Sequence, residues 1–148
     1  VTGCVLRFES VAFESGVELD SEIQPRLSIH GDLDCLERLV MILLDNAVKY
    51  AGEAGQVRLE LQRRQERAVL TVTNTGQPIP LEHLDHLFQR FYRVDGSRSR
   101  KEGGYGLGLA IAQTIVQFHR GQIEVKSDAQ NGTCFTVTLP RVWQQEEK

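Results

Sequence analysis

A two-layer α+β sandwich, with a mixed and mostly antiparallel sheet covered on one face by about three helices, is the fold class this sequence predicts. Three observations carry it. Apolar residues recur at helical spacing in three separate stretches. Alternating runs come in neighbouring pairs, 56–63 with 67–74 and 122–127 with 133–139, as hairpins do. Helices and hairpins are interspersed along the chain, which suits helices packed on one side of a sheet.

From Thr2 to Ser15, Cys4, Val5, Phe8, Val11 and Ala12 fall on one helical side, and Gly16 stops the pattern. Val17–Asp20 and Leu27–His30 alternate, and read as short strands flanking Pro25. Asp32 is placed to cap a helix that runs to Tyr50, with Leu36, Val40, Leu43 and Ala47 along its buried stripe. Gly52 to Gly55 is a loop, and the polar run Arg63–Arg67 links the first hairpin. Asn74-Thr75-Gly76-Gln77-Pro78 is turn chemistry. A short helix near Leu81–His86 follows, then a polar, glycine-rich stretch from Asp95 to Gly104 whose composition predicts mobility. A helix from about Gly106 to His119 is stopped by Gly121, and the second hairpin ends at Pro140.

With 148 residues the chain is expected to form one domain over 1–148 with a real core. Its composition, 41% hydrophobic and 25% charged, is that of an ordinary globular chain, and a net charge of -3 gives no footing for bulk nucleic-acid binding. Cys4, Cys35 and Cys134 are odd in number and widely spaced, which fits reduced thiols in a cytosolic setting. No apolar run reaches the ~18 residues of a spanning helix. The chain starts at Val1 without methionine, so a piece of a longer protein is expected, with any membrane attachment outside it.

Two segments concentrate the chemistry. Asn46, Lys49 and Tyr50 stand at i, i+3 and i+4, on one helical face. An asparagine amide oxygen is a hard ligand suited to Mg²⁺ and a lysine can meet phosphate, but the same face also fits a solvated Asp45–Lys49 ion pair. The glycines at 104, 106 and 108 let backbone amides approach an anion at a helix start, or else simply cap a buried helix. No Gly-Lys-Ser/Thr follows, so this is not a P-loop. A GxGxxG match from Gly104 fails at Leu109, and no strand precedes it. Asn74 ends a strand, where its amide can pair with adenine or merely tolerate the turn. Arg93, Arg98, Arg100 and Lys101 place positive charge beside the glycines, as a lid over phosphates or as a solvated loop. His30, His83, His86 and His119 share no ligand spacing beyond the close pair 83/86 and read as structural or surface residues, while Trp143 and the acidic tail carry no function.

Taken in order, these pieces resemble the catalytic ATP-binding domain of bacterial sensor histidine kinases, part of the wider family shared with DNA gyrase, Hsp90 and MutL. Leu43–Tyr50 resembles the asparagine box, Val72–Pro80 the first glycine box, Phe88–Arg93 the F box and Gly104–Ile111 the second glycine box. His119–Ile123 and Gly132–Phe135 are similar to the family's usual ending. The resemblance covers nearly the whole chain and implies the Bergerat-type ATP-binding fold.

It also implies roles. Asn46 would coordinate Mg²⁺, Lys49 would contact phosphate, and Tyr50 would lie against the nucleotide. Asn74 takes the adenine-binding aspartate's place. Gly76 and Ile79 would line the base pocket, with Thr133 behind it. Arg93 would reach phosphate, Gly104, Gly106 and Gly108 would wrap the triphosphate with Tyr105 among them, and Leu107 and Leu109 would anchor the loop. The implied activity is transfer of the γ-phosphoryl of Mg²⁺–ATP to a histidine on a separate helical phosphoacceptor domain. The implied partners are that domain and a cognate response regulator. The chain would be cytoplasmic and monomeric, within a dimeric parent anchored in the inner membrane. Three departures stand out: Asn74 for aspartate, Pro78 for the box's second glycine, and Ile42 four residues before Asn46. Gyrase-type enzymes hold a water-activating glutamate at that last position, and isoleucine cannot act as a base. The departures leave a degenerate nucleotide-binding or regulatory module as the alternative and disfavour hydrolysis.

Overall fold

The structure, a computed structural model, describes residues 2–25, 27, 29, 31–52, 54–84, 86–89 and 107–140. In chain order it forms α1 (Thr2–Glu14), β1 (Glu18–Ile23), α2 (Leu33–Tyr50), β2 (Gln56–Arg64), β3 (Arg67–Asn74), α3 (Leu81–Leu84), α4 (Gly108–Phe118), β4 (Gln122–Asp128) and β5 (Gly132–Pro140).

The sheet order is β1-β2-β3-β5-β4. The two hairpin pairs, β2–β3 and β4–β5, are antiparallel as expected, β3 and β5 pair antiparallel at the centre, and β1 lies parallel to β2 with Glu18 opposite Gln56. That parallel contact joins segments more than thirty residues apart, so no local pattern announces it. The strand expected at Leu27–His30 does not form at its described residues: Leu27 and Ile29 belong to no strand. The chain instead spends its alternation earlier, in a single strand through Ile23.

One sheet face is apolar. Val57, Leu59, Leu70, Val72, Phe135, Val137 and Leu139 alternate inward and meet Cys4, Val5, Phe8 and Ala12 of α1, the α2 stripe, and Ala112, Ile115 and Val116 of α4 in one core cluster. The other face is polar: Arg58 binds Asp20, Glu22 and Glu60 across β1 and β2. This is the one-sided alternation of a half-covered antiparallel sheet. In α2, Leu39, Val40, Leu43, Leu44, Ala47 and Val48 are buried. Each such large apolar side chain contributes about 1.5–3 kcal/mol on leaving water, so α2 is the central strut of the molecule. Asp32 caps it as expected, accepting from the Cys35 N–H at 3.1 Å. All three cysteines are free thiols.

Candidate nucleotide-binding site

The last two turns of α2 carry Asn46, Lys49 and Tyr50 on the side beside its buried stripe. Asn46 is half-buried and its amide has no hydrogen-bond partner among the described residues. Such an amide in a helix interior opposes helix propensity, and no hydrogen bond to a described residue offsets that. Lys49 pairs with Asp45 at 3.3 Å, the ion pair foreseen as the bland reading of this face. Tyr50 is 48% exposed at the helix end.

That end is locked to the turn after β3. Gly76 has φ +122°, and a Cβ there would overlap the Tyr50 carbonyl oxygen, so only glycine lets the turn approach α2 this closely. The Thr75 hydroxyl donates to the Ala51 carbonyl at 3.1 Å and accepts from the Gln56 N–H at 2.9 Å. Thr75 thus ties together the end of α2, the start of β2 and the end of β3.

Across the sheet, register sets Val57, Asn74, Thr133 and Ser127 in one row at this same end. Asn74 and Thr133 are 3% and 4% exposed. The Asn74 Nδ2 donates to the Thr75 carbonyl at 2.6 Å, leaving Oδ1 without a donor among the described residues. Ser127 Oγ accepts from the Ile79 N–H at 2.8 Å and lies 2.8 Å from Thr133 Oγ1. Ile79 packs against the core, and a Cβ at Gly132 would overlap the Asn74 carbonyl oxygen. Asn74, Ile79 and Thr133 are therefore brought together, with Gly76 beside Tyr50.

The start of α4 faces α2 from the other side. A Cβ built on Gly108 would lie 3.6 Å from Ile42 Cγ2, and Ile42 stands one turn before Asn46. Leu107 is the N-cap residue and supplies no side-chain cap, so no side chain of the described residues caps the first amides of α4. Leu109 packs against the core while Leu107 stays 37% exposed. Of the F box, Phe88 meets Phe135 edge-on at 6.2 Å. Arg93, Gly104, Tyr105 and Gly106 lie outside the described residues, as do Arg98, Arg100, Lys101 and Trp143.

Two residues central to this geometry were not singled out from the sequence: Thr75 and Ser127. Alternation in β4 offered a signal for the second, since Ser127 follows Ile123 and Val125 on the inward face. No cluster of three or more His, Cys, Asp or Glu able to hold a metal occurs among the described residues.

The profile of the histidine kinase-, DNA gyrase B- and HSP90-like ATPases matches residues 31–142. The chain belongs to this family. Among its relatives, the sensor histidine kinase RppB of a Synechocystis strain is 40% identical over 134 residues, 90% of this chain and 30% of that protein. The sensor histidine kinase CusS of Escherichia coli is 43% identical over 133 residues, 90% of this chain and 27% of that protein. The chain thus spans under a third of the length of these curated relatives. The nucleotide-free catalytic domain of the histidine kinase ThkA superposes with a TM-score of 0.85 at 23% identity, covering 97% of this chain and 91% of that one, a likeness of fold. ThkA has also been solved in complex with the response regulator TrrA. The family match and the likeness of fold agree on an ATPase domain of the histidine kinase-, DNA gyrase B- and HSP90-like type. No helix among its described residues is long and apolar enough to cross a membrane.

Proposed function

We propose that the domain binds Mg²⁺–ATP between α2 and α4 and presents the γ-phosphoryl group to a histidine on a separate helical domain of a longer sensor kinase. The observation that carries this reading is that Gly108, at the start of α4, packs beside Ile42, one turn of α2 before Asn46, whose amide has no partner among the described residues. A helix start with free amides stabilises anionic oxygens, and phosphoryl transfer asks mainly for positioning and charge stabilisation.

The residues present fit a magnesium ion. Mg²⁺ is commonly held by one or two protein oxygens together with substrate phosphates and water, and Asn46 Oδ1 is a hard oxygen with no competing partner among the described residues. The ion would neutralise charge on the transferring phosphoryl oxygens. Lys49 turns to phosphate by leaving Asp45, an exchange that costs little because exposed helical pairs hold only about 0.3–0.5 kcal/mol. Asn74, Gly76, Ile79 and Thr133 receive the base, Tyr50 lies against the nucleotide, and Arg93, Gly104, Tyr105, Gly106, Gly108 and their flanking leucines close on the triphosphate. With Ile42 packed on Gly108, no base stands where water would be activated, so nucleotide is kept for transfer rather than hydrolysed.

The downstream partner in this reading is a response regulator, and the parent is a membrane-anchored dimer whose cytoplasmic part includes this domain. Mixing the chain with the parent's helical domain and γ-labelled ATP should place label on that domain's histidine and none on the chain alone. Label on a histidine of this chain, or none on either, contradicts the proposal. A degenerate regulatory module is the second reading, favoured by Asn74, Pro78 and Ile42; undetectable binding at millimolar ATP selects it.

A further inference from the structure

The polar row at the end of the sheet holds a short run of hydrogen bonds. The Ile79 N–H donates to Ser127 Oγ at 2.8 Å, and that hydroxyl lies 2.8 Å from Thr133 Oγ1. A hydroxyl that accepts from an amide becomes the better donor, because each bond in a chain polarises the next. That polarisation favours Ser127 as the donor to Thr133 Oγ1, and in that arrangement the Thr133 proton has no acceptor among the described residues. Asn74 has a preferred orientation too. Its Nδ2 donates to the Thr75 carbonyl at 2.6 Å, and turning the amide over would set two acceptor oxygens against each other. Its Oδ1 is thereby left as a buried acceptor with no donor among the described residues.

We propose that Ser127 is a specificity-determining positioning residue: it aims the Thr133 proton so that an acceptor at Asn74 and a donor at Thr133 together read the base. A 6-amino purine presents an exocyclic N–H beside a bare ring nitrogen, which complements that pair. A 6-oxo purine presents an oxygen beside a ring N–H, and meets acceptor with acceptor and donor with donor. The proposal rests on the nucleotide reading above and deepens it. Discrimination here comes from a relay anchored on the Ile79 backbone, with no charged side chain in contact with the base.

The test is calorimetric titration of the chain with Mg²⁺–ATP and with Mg²⁺–ITP, whose hypoxanthine is the 6-oxo counterpart. ATP should bind at least about tenfold more tightly than ITP, since mismatched buried donors and acceptors are heavily penalised. Ser127→Ala should cut that ratio by about tenfold, and Ser127→Thr, which keeps the hydroxyl, should restore it. Thr133→Val removes the donated proton with little change of shape and serves if Ser127→Ala does not fold. Equal binding of ATP and ITP by the unaltered chain, or a ratio that neither Ser127→Ala nor Thr133→Val changes, overturns the relay alone. Binding of neither nucleotide overturns the nucleotide reading beneath it.

Discussion

Asn46 is the residue whose presence is hardest to explain without a ligand. Alanine at this position would favour the helix by about 0.5 kcal/mol, and the amide has no partner among the described residues. Asn46→Ala should therefore leave the urea midpoint unchanged or slightly raised while weakening Mg²⁺–ATP binding at least about tenfold, as loss of a metal-ligand oxygen would. Gly76 has the opposite character. Its φ of +122° and its closeness to the Tyr50 carbonyl leave no room for a side chain, so Gly76→Ala should lower stability by about 2 kcal/mol or more in urea unfolding. Asp128 offers a test by pH. Its carboxyl is held below the usual range, first by the Asn131 backbone N–H, then by the Asn131 side chain and the Gln130 N–H. A depressed native pKa stabilises fully above the ordinary carboxylate range, and that contribution is lost as pH falls through the native value. Amide exchange at Asn131 should accelerate relative to the sheet in that acid window, and Asp128→Asn should flatten the dependence.

At the scale of elements, α2 and α4 run antiparallel and are fastened at both ends. Gly108 meets Ile42 at one end. At the other, His119 is 2% exposed, its Nδ1–H donates to the Ile115 carbonyl at 2.8 Å, and its Nε2 accepts from the Asp32 N–H at 3.0 Å. His119→Ala would leave a cavity and an orphaned N–H at the α2 cap, and should cost about 2–4 kcal/mol by thermal or urea unfolding. The helices and hairpins were legible because their periods are local: Val40, Leu43 and Ala47 announce α2, and the alternations of 56–63 and 67–74 announce β2 and β3 within a residue. The parallel β1–β2 contact was not, because its two strands lie far apart in sequence. The same holds in the site. Asn46, Asn74 and the glycines stand out by being unusual in their local pattern. Thr75 and Ser127 look ordinary until the sheet brings Ser127 beside Thr133 and the turn of Ile79, 48 residues away from that amide in the chain.

For the whole molecule, the core lies between the sheet and the helices, and the proposed site occupies one end of that layer. In that proposal it draws on the row Val57, Asn74, Thr133 and Ser127 and on α2 and α4. A ligand there bridges elements that otherwise meet mainly through apolar side chains, so nucleotide should stabilise the entire domain. At a hundredfold excess over its dissociation constant the gain is about 2.7 kcal/mol, and the unfolding midpoint should rise with Mg²⁺–ATP concentration. The most direct measurement is calorimetric titration of the chain with ATP, with and without Mg²⁺, alongside Asn46→Ala. One binding event per chain that needs magnesium and is crippled by the substitution is the expected result. Absence of heat at millimolar nucleotide, or binding indifferent to both the metal and Asn46, would contradict a site built between α2 and α4.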